Sequence, residues 1–276
     1  YISSSHIDWI QRAGLKYIAI PYTTKKHKYY MKRINGLYFP SGGVFASNSP
    51  QYYNCCKKFM ELAMKETDNG NYMPIWGGCM GMQQMMIIAD GNDDLEKLLT
   101  KFDSFNNLLC TLDLTKDGKE SRMLQNFPTR FVNKLQHKKC TLNNHMMGIS
   151  PSRFKKHKRL NKLFKIISTS TCRKGKTFVS TIEARNYPFY GVQWHPERAK
   201  DMEYFSKFFV KEVWKNKQRC RVEKKYKLEF KTIDCLQFSG QIYDKCHFYW
   251  HKRTSLHNKR LCDLAQLGNP QLNEGV

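Results

Sequence analysis

The sequence predicts an α/β protein with a central, mostly parallel sheet. Strand-like and helix-like segments alternate through the first ninety residues, which is typical of such sheets. A glycine-rich turn joins a buried strand to a buried helix at 73–88, and three strand-like segments precede an amphipathic helix at 164–217. With 276 residues, of which 41% are hydrophobic, the chain can bury a substantial core.

The segments of the first half follow one another with little intervening loop. A helix capped by serines comes first, and the remaining segments are two strands, two helices and the strand that enters the glycine turn. In chain order we predict them at Ser3–Gly14 (helix), Tyr17–Ile20 (strand), 24–33 (helix), Gly36–Pro40 (strand), Gln51–Glu66 (helix) and Met73–Trp76 (strand).

The second half is less regular at first and then turns to β-structure. We predict a helix at Leu95–Phe102, a strand at Leu109–Leu114, a helix at Ser121–Gln136 interrupted by Pro128, an extended segment at Cys140–Met147, a hairpin of Phe164–Ser170 with Thr177–Ala184, a strand at Phe189–Trp194 and a closing helix at Met202–Lys217. Beyond Cys220 the sequence has no clear period. We therefore expect one domain at 1–218 and a C-terminal extension at 219–276, partly packed on that domain, with an end that could be disordered.

The glycine turn carries a candidate nucleophile. Gly77 and Gly81 flank Cys79 in the spacing G-x-C-x-G, the thiol counterpart of the serine hydrolase elbow. A cysteine at the N-terminus of a helix is favoured as thiolate by the unpaired N–H groups and by the helix dipole. A buried structural cysteine in a glycine turn would give the same local pattern, so the assignment needs a base elsewhere in the chain.

Such a base is present in Gln193-Trp194-His195-Pro196-Glu197. Residues two apart in an extended segment point to the same side, so Glu197 can accept a hydrogen bond from one nitrogen of His195 while the other nitrogen faces the thiol. This is the nucleophile, base and orienting group of a Cys-His-Glu triad. Either residue alone would be read as an ordinary strand-end histidine or surface acid.

Charge and cysteine usage limit the partners. The chain has 47 Lys and Arg against 23 Asp and Glu, a formal net charge of +24, which favours an acidic partner such as a polyanionic small substrate. Basic clusters occur at 25–28, 155–159 and 221–227, but no zinc-finger spacing or RNA-binding aromatic signature accompanies them, so we predict no specific nucleic-acid binding. Ten cysteines without a CxxC pair predict no metal site, we expect no cofactor, and no apolar run is long enough to span a membrane.

Together these motifs resemble a known family. The blocks around Cys79 and His195 are similar to the class I glutamine amidotransferase superfamily and, more narrowly, to the gamma-glutamyl hydrolases of peptidase family C26. Narrower support comes from Ile34–Pro40, Ser121–Pro128 and Pro188–Tyr190. The resemblance implies a three-layer, flavodoxin-like sandwich whose first strand is apparently missing from this chain. It also implies a cysteine hydrolase that cleaves gamma-glutamyl bonds of folylpoly-gamma-glutamates through a thioester, with a lysosomal or secreted address, although no signal peptide is visible.

The resemblance also implies residue roles. Cys79 would be the nucleophile, His195 the base and Glu197 its orienting acid, while the oxyanion hole would use the backbone N–H of Met80 and the loop Gly42–Gly43. His145, in an N-x-H context, Arg198 and Gln83 would line the substrate site.

Departures from the family pattern leave alternatives open. The connection between Glu197 and the closing helix is short, and Gln83 gives the C-x-G-x-Q pattern of glutamine amidotransferases. A glutaminase-type amide hydrolase and a catalytically impaired, non-enzymatic relative are therefore the competing interpretations. The sequence decides neither the cysteine pairing nor whether the protein forms a homodimer.

Overall fold

The computed structural model describes residues 2–42, 49–91, 98–236 and 242–250. The described α-helices, in chain order, are α1 (Ser4–Arg12), α2 (His27–Met31), α3 (Pro50–Asp68), α4 (Met80–Asp90), α5 (Lys116–Lys119), α6 (Thr129–His137), α7 (Pro151–Lys156), α8 (Lys158–Leu163) and α9 (Glu203–Lys215). Short 3-10 turns lie at Leu124–Asn126, Pro196–Arg198, Lys200–Met202 and Lys224–Tyr226.

The strands form three sheets. They are β1 (Ile2–Ser3), β2 (Leu37–Phe39), β3 (Ile75–Gly78), β4 (Thr100–Cys110), β5 (Asp113–Leu114), β6 (Thr141–Gly148), β7 (Phe164–Thr171), β8 (Thr177–Ala184), β9 (Phe189–Val192), β10 (Glu229–Leu236) and β11 (Ile242–Trp250). The central sheet has the order β2-β3-β9-β8-β7-β5, while β4 pairs with β6, and β1, β11 and β10 form a third sheet.

The central sheet confirms the predicted α/β class. β2, β3 and β9 are parallel neighbours, and β8, β7 and β5 extend the sheet by antiparallel pairing. Four of the six strands (β2, β3, β9 and β7) consequently run in one direction, as expected for a mostly parallel sheet. β7 and β8 pair as the predicted hairpin.

Helices cover both faces of this sheet because successive strand residues point to opposite sides. Ile75 and Phe189 are register partners and belong to the core on the face that carries α3 and α4. The next pair, Trp76 and Tyr190, belongs to the core on the other face, together with aromatic side chains of α1 and α9. The two cores give the chain three layers.

Several predicted elements differ from the structure. The strand expected at Leu109–Leu114 is divided between β4 and β5, and the α-helix expected at Ser121–Gln136 begins only at Thr129, after a 3-10 turn. Tyr17–Ile20, expected as a strand, has no sheet pairing with the described residues. The helix expected at Leu95–Phe102 is wrong for its last three residues, Thr100–Phe102, which begin β4; residues 92–97 lie outside the described part. There the backbone pairing of Thr100 with Gly148 of β6 overrides local helix propensity.

Several of the described residues beyond 218 contact the domain. The Tyr30 hydroxyl donates to the Tyr226 carbonyl at 2.9 Å, and the Tyr29 hydroxyl donates to Glu223 at 3.2 Å. β11 pairs antiparallel with β1, which is followed directly by α1. The domain boundary at 218 stays a prediction, and the expected loose end at 251–276 lies outside the described residues.

The described helices include none with the length and apolar character needed to cross a membrane. Seven cysteines of the described part are free thiols: Cys55, Cys56, Cys79, Cys110, Cys140, Cys172 and Cys220.

Candidate active site

The elbow at Cys79 joins β3 directly to α4. Cys79 has φ 48° and ψ −105°, a conformation that non-glycine residues rarely adopt and that marks sharp strand-to-helix turns. Gly81 allows α4 to lie close to β2, since a Cβ at Gly81 would lie 1.9 Å from the carbonyl oxygen of Phe39. The glycine at this position is therefore required by close packing of backbone on backbone.

Pairing of β3 with β9 brings the two candidate motifs together. Gly78 and Val192 are register partners, and the Cys79 N–H donates to the Val192 carbonyl at 2.7 Å. The residues that follow both strands therefore emerge at one edge of the sheet, beyond the carboxyl ends of the parallel strands, where such folds place their sites. Cys79 and His195 meet there.

The predicted pairing of His195 with Glu197 is present. His195 Nδ1 lies 2.7 Å from Glu197 Oε1, and the two residues are 6% and 3% exposed. His195 Nε2 has no hydrogen-bond partner within the described part of the chain. Burial alone would lower the pKa of His195, but the charges of Glu197 and Cys79 outweigh it and raise that pKa to about 10. The Cys79 sulfur is therefore in electrostatic contact with the imidazole.

Glu197 is held as a carboxylate in spite of its burial. Burial raises its pKa, but the charges of His6 and His195 and the hydrogen bond from His195 lower it to about 2. Its second oxygen, Oε2, has no hydrogen-bond partner among the described residues.

Gln193 and Gln83 connect the thiol to the strand β6. Gln193 Nε2 lies 3.6 Å from Cys79 Sγ, and Gln193 Oε1 accepts a hydrogen bond from Gln83 Nε2 at 3.1 Å. Gln83 Nε2 also donates to the Met147 carbonyl at 2.7 Å. The side chain of Gln83, which was predicted to contact the substrate, is thus hydrogen-bonded to other groups of the protein.

His145 belongs to β6 and lies close to His195. It is 6% exposed, its Nδ1 lies 2.9 Å from the Met147 carbonyl and its Nε2 lies 3.3 Å from Asn143 Oδ1. Burial and the charge of His195 together lower the pKa of His145 to about 3, although the hydrogen bond to the Met147 carbonyl opposes this shift. The ring is therefore neutral at physiological pH.

The remaining predicted residues surround the elbow. Gly42 packs on the Met80 side chain, since a Cβ at Gly42 would lie 3.1 Å from Met80 Cε. Met80 is the first residue of α4, and Gly43 lies outside the described residues. Arg198 is half-buried at the end of the 3-10 turn that carries Glu197.

His6 and Tyr38, which were not among the predicted site residues, complete the surroundings of Glu197. His6 of α1 is 1% exposed, and its Nδ1 lies 3.6 Å from Glu197 Oε1 and 2.5 Å from the Tyr38 hydroxyl. Burial and the charges of Glu197 and Cys79 raise the pKa of Tyr38 well above its usual value, so its hydroxyl stays protonated. The described residues contain no cluster of His, Cys, Asp or Glu that could hold a metal ion.

A buried thiol beside an imidazole that is itself oriented by a carboxylate is the arrangement of a nucleophilic acyl-transfer site. The model of the family "Glutamine amidotransferase class-I" matches residues 2–212 of this chain. The chain is 32% identical over 274 residues to a gamma-glutamyl hydrolase of Homo sapiens, which covers 90% of this chain and 83% of the relative. It is 33% identical over 236 residues to a gamma-glutamyl hydrolase of Rattus norvegicus, covering 78% and 72%.

Solved structures of low sequence identity share the fold. The glutaminase domain of a Trypanosoma brucei CTPS with bound acivicin superimposes with a TM-score of 0.56 at 14% identity, covering 80% of this chain and 92% of that domain. A putative GMP synthase subunit of Thermoplasma acidophilum gives a TM-score of 0.53 at 15% identity, covering 76% and 87%. With the matched family model and the relatives above, these findings show that the chain belongs to the class I glutamine amidotransferase family and, within it, to the gamma-glutamyl hydrolases.

Proposed function

We propose that this protein is a cysteine hydrolase that cleaves the gamma-glutamyl bonds of folylpoly-gamma-glutamates. The observation that carries the proposal is the hydrogen bond between His195 and Glu197 beside a strained, buried Cys79 at the elbow. Membership of the gamma-glutamyl hydrolase family supports the hydrolase role and names the bond.

The reaction would run through a thioester. His195 holds at Nε2 the proton taken from Cys79, and the Cys79 thiolate attacks the γ-carbonyl carbon of the glutamyl bond. The carbon–nitrogen bond breaks as His195 gives that proton to the leaving amine, which leaves an acyl group on sulfur. A water then loses a proton to His195 and attacks the thioester, and the thiolate leaves. Glu197 fixes the orientation of His195 through Nδ1 in both halves.

The remaining predicted residues would bind the oxyanion and the substrate. We assign the oxyanion to the N–H of Met80 and to an N–H of the loop Gly42–Gly43, because a donor at this edge would face the carbon attacked by Cys79. Arg198, one residue beyond Glu197, is suited to a substrate carboxylate, and neutral His145 would contribute packing and a hydrogen bond rather than charge. For Gln83 we propose an indirect role, because its amide holds Gln193 against the thiol.

Incubation with pteroylpentaglutamate, followed by mass spectrometry of the products, tests the proposal. We expect the wild-type protein to shorten the glutamyl chain and Cys79→Ala to lose about a thousandfold or more in rate, because the nucleophile is removed. Cys220→Ala is the matched control, since Cys220 is an exposed thiol whereas Cys79 is buried, and it should retain full activity. Equal chain shortening by Cys79→Ala and the wild type would contradict the mechanism.

The same preparations separate the alternatives. Hydrolysis of free glutamine without cleavage of the pentaglutamate would favour the glutaminase interpretation. Failure to hydrolyse either substrate, in a folded protein, would favour an impaired relative. The lysosomal or secreted address and a homodimer are further proposals, which cell fractionation and size-exclusion chromatography of the full-length protein would test.

A further inference from the structure

We propose that His6 is a positioning residue that balances the buried charge of Glu197 and thereby supports the thiolate form of Cys79. The inference rests on the proposed function for its catalytic consequence, but its first readout is the reactivity of the thiol and needs no substrate. His6 comes from α1, almost two hundred residues before Glu197 in the chain.

Three contacts fix the ring of His6. Nδ1 lies 2.5 Å from the hydroxyl of Tyr38 in β2, and Nε2 lies 2.5 Å from Oγ of Ser41, two residues after β2, so each ring nitrogen has a hydrogen-bond partner. The ring also packs edge-on against the Tyr38 ring, with centroids 5.4 Å apart. With both nitrogens engaged, the imidazole has one orientation, and that orientation directs Nδ1 toward Glu197.

The contact with Glu197 is electrostatic. At 3.6 Å the distance from His6 Nδ1 to Glu197 Oε1 is too long for a hydrogen bond. That same oxygen lies 2.7 Å from His195 Nδ1, so two imidazoles face one carboxylate oxygen. His6 is 1% exposed and Glu197 is 3% exposed, and water therefore screens this contact little.

The charges of the buried groups indicate the role of the His6 imidazole. When Cys79 is a thiolate and His195 an imidazolium, the buried set of Cys79, His195 and Glu197 has a net charge of minus one. A protonated His6 brings the set to neutrality, and a neutral set is less costly to bury than a charged one. Tyr38 remains a neutral phenol and adds no charge to this set. Its titratable neighbours include Glu197, Cys79 and Tyr52. Loss of the His6 charge should therefore shift Cys79 toward the unreactive thiol.

The test is the rate at which iodoacetamide alkylates Cys79, followed by peptide mass spectrometry at neutral pH. We expect His6→Gln, which is neutral and similar in size, to lower this rate about tenfold, and Tyr38→Phe to lower it by a smaller factor because the ring loses one anchor. The exposed Cys220 provides an internal control for the reagent, and His137→Gln, at an exposed helix end, is the matched variant. Cys220 should be alkylated at the same rate in every variant, and Cys79 should be alkylated at the wild-type rate in His137→Gln.

Hydrolysis of pteroylpentaglutamate provides the second readout. We expect His6→Gln to lower kcat about tenfold with KM within twofold, since the residue acts on the nucleophile and not on the bound substrate. A wild-type alkylation rate in folded His6→Gln would overturn the proposal. If that variant does not fold, Tyr38→Phe decides, and a wild-type rate there has the same meaning. A wild-type protein that shows no hydrolysis, but whose alkylation depends on His6, would refute the proposed function and leave this inference standing.

Discussion

Glu197 has a carboxylate oxygen in contact with two imidazoles, and this sharing determines how the site responds to pH. The hydrogen bond from His195 and the charges of both histidines keep a buried acid ionised, although burial opposes ionisation. The same carboxylate raises the pKa of His195 against the effect of burial. The negative charge of Glu197 and the positive charge of His195 therefore stabilise each other. The pH dependence of the unfolding free energy should reflect this coupling.

The first prediction concerns Glu197→Gln, which keeps the shape of the side chain and removes its charge. The lowered pKa of Glu197, from 4.5 to about 2, adds stability above pH 4.5 that is lost as the pH falls toward 2. The raised pKa of His195, from 6.5 to about 10, adds stability below pH 6.5 that is lost as the pH rises toward 10. The difference in unfolding free energy between wild type and variant should therefore favour the wild type most between about pH 4.5 and 6.5.

Urea unfolding of both proteins at a series of pH values measures this difference. The acid sensitivity caused by other groups, such as neutral His145, is common to both proteins and cancels. A difference that stays constant from about pH 3 to about pH 9 would show that the pair is not coupled in the folded state.

At the residue scale, sequence alone predicted the contact between His195 and Glu197 but not its wider setting. Cys79 was predicted as the nucleophile by its flanking glycines, and His195 with Glu197 by their spacing. The extended backbone assumed for that spacing is wrong, because Glu197 lies in the 3-10 turn Pro196–Arg198. His6 had a usable signal, because it falls in the stripe of residues 6, 9, 10 and 13 that faces the core of α1, and a buried histidine needs polar partners. Those partners, Tyr38, Ser41 and Glu197, could not be named because only the tertiary fold brings them to α1.

At the scale of elements, the elbow depends on how closely α4 approaches β2. Gly81 makes this approach possible, because the Phe39 carbonyl occupies the space where a Cβ would lie. Gly77 contributes on the other side, since a Cβ there would lie 2.8 Å from the backbone of Gly81 and Met82. The position of the Cys79 sulfur is thus determined by backbone packing on both sides of the turn.

The second prediction is that Gly81→Ala destabilises the fold and lowers the hydrolytic rate together. The Cβ would force α4 away from β2, at a cost of about 3 kcal/mol in unfolding free energy, since neither backbone segment can move independently. Gly78→Ala is the control within the same turn, because its Cβ would meet the Tyr38 hydroxyl at an ordinary 3.4 Å. It should cost less than about 1 kcal/mol. Urea unfolding of the three proteins measures the two stability costs, and hydrolysis of pteroylpentaglutamate measures the rates. Equal stabilities would contradict this account of the elbow.

Sequence patterns predicted those elements whose burial has a clear period, such as α3, the β7–β8 hairpin and α9. They failed where pairing between distant segments decides the structure. Thr100–Phe102 joins β4 because β6 lies beside it, and β10 with β11 was not predicted because the basic sequence after Cys220 shows no alternation. In both cases the deciding contact is with a strand elsewhere in the chain, which a local window does not contain.

At the scale of the whole molecule, the C-terminal hairpin supports the element that carries His6. Ile2 and Ser3 of β1 pair with residues of β11, and α1 begins at the next residue. Trp9 of the same helix packs on Trp76 of β3, with ring centroids 5.4 Å apart. Strand pairing at its start and aromatic packing along its length therefore fix the helix relative to Glu197.

The last prediction concerns the net charge of +24, which acts on a charged substrate from beyond contact distance. A pentaglutamate presents several carboxylates, and attraction by the whole protein should raise its encounter rate in low salt. Because added salt shortens the screening length from about 10 Å at 0.1 M to about 3 Å at 1 M, kcat/KM for pteroylpentaglutamate should fall about tenfold over that range. For a substrate with a single γ-linked glutamate, which carries fewer charges, the decrease should be about twofold. Steady-state kinetics in sodium chloride measure both slopes. Equal slopes would mean that Arg198 and other local contacts, rather than the charge of the whole chain, select the polyanionic substrate.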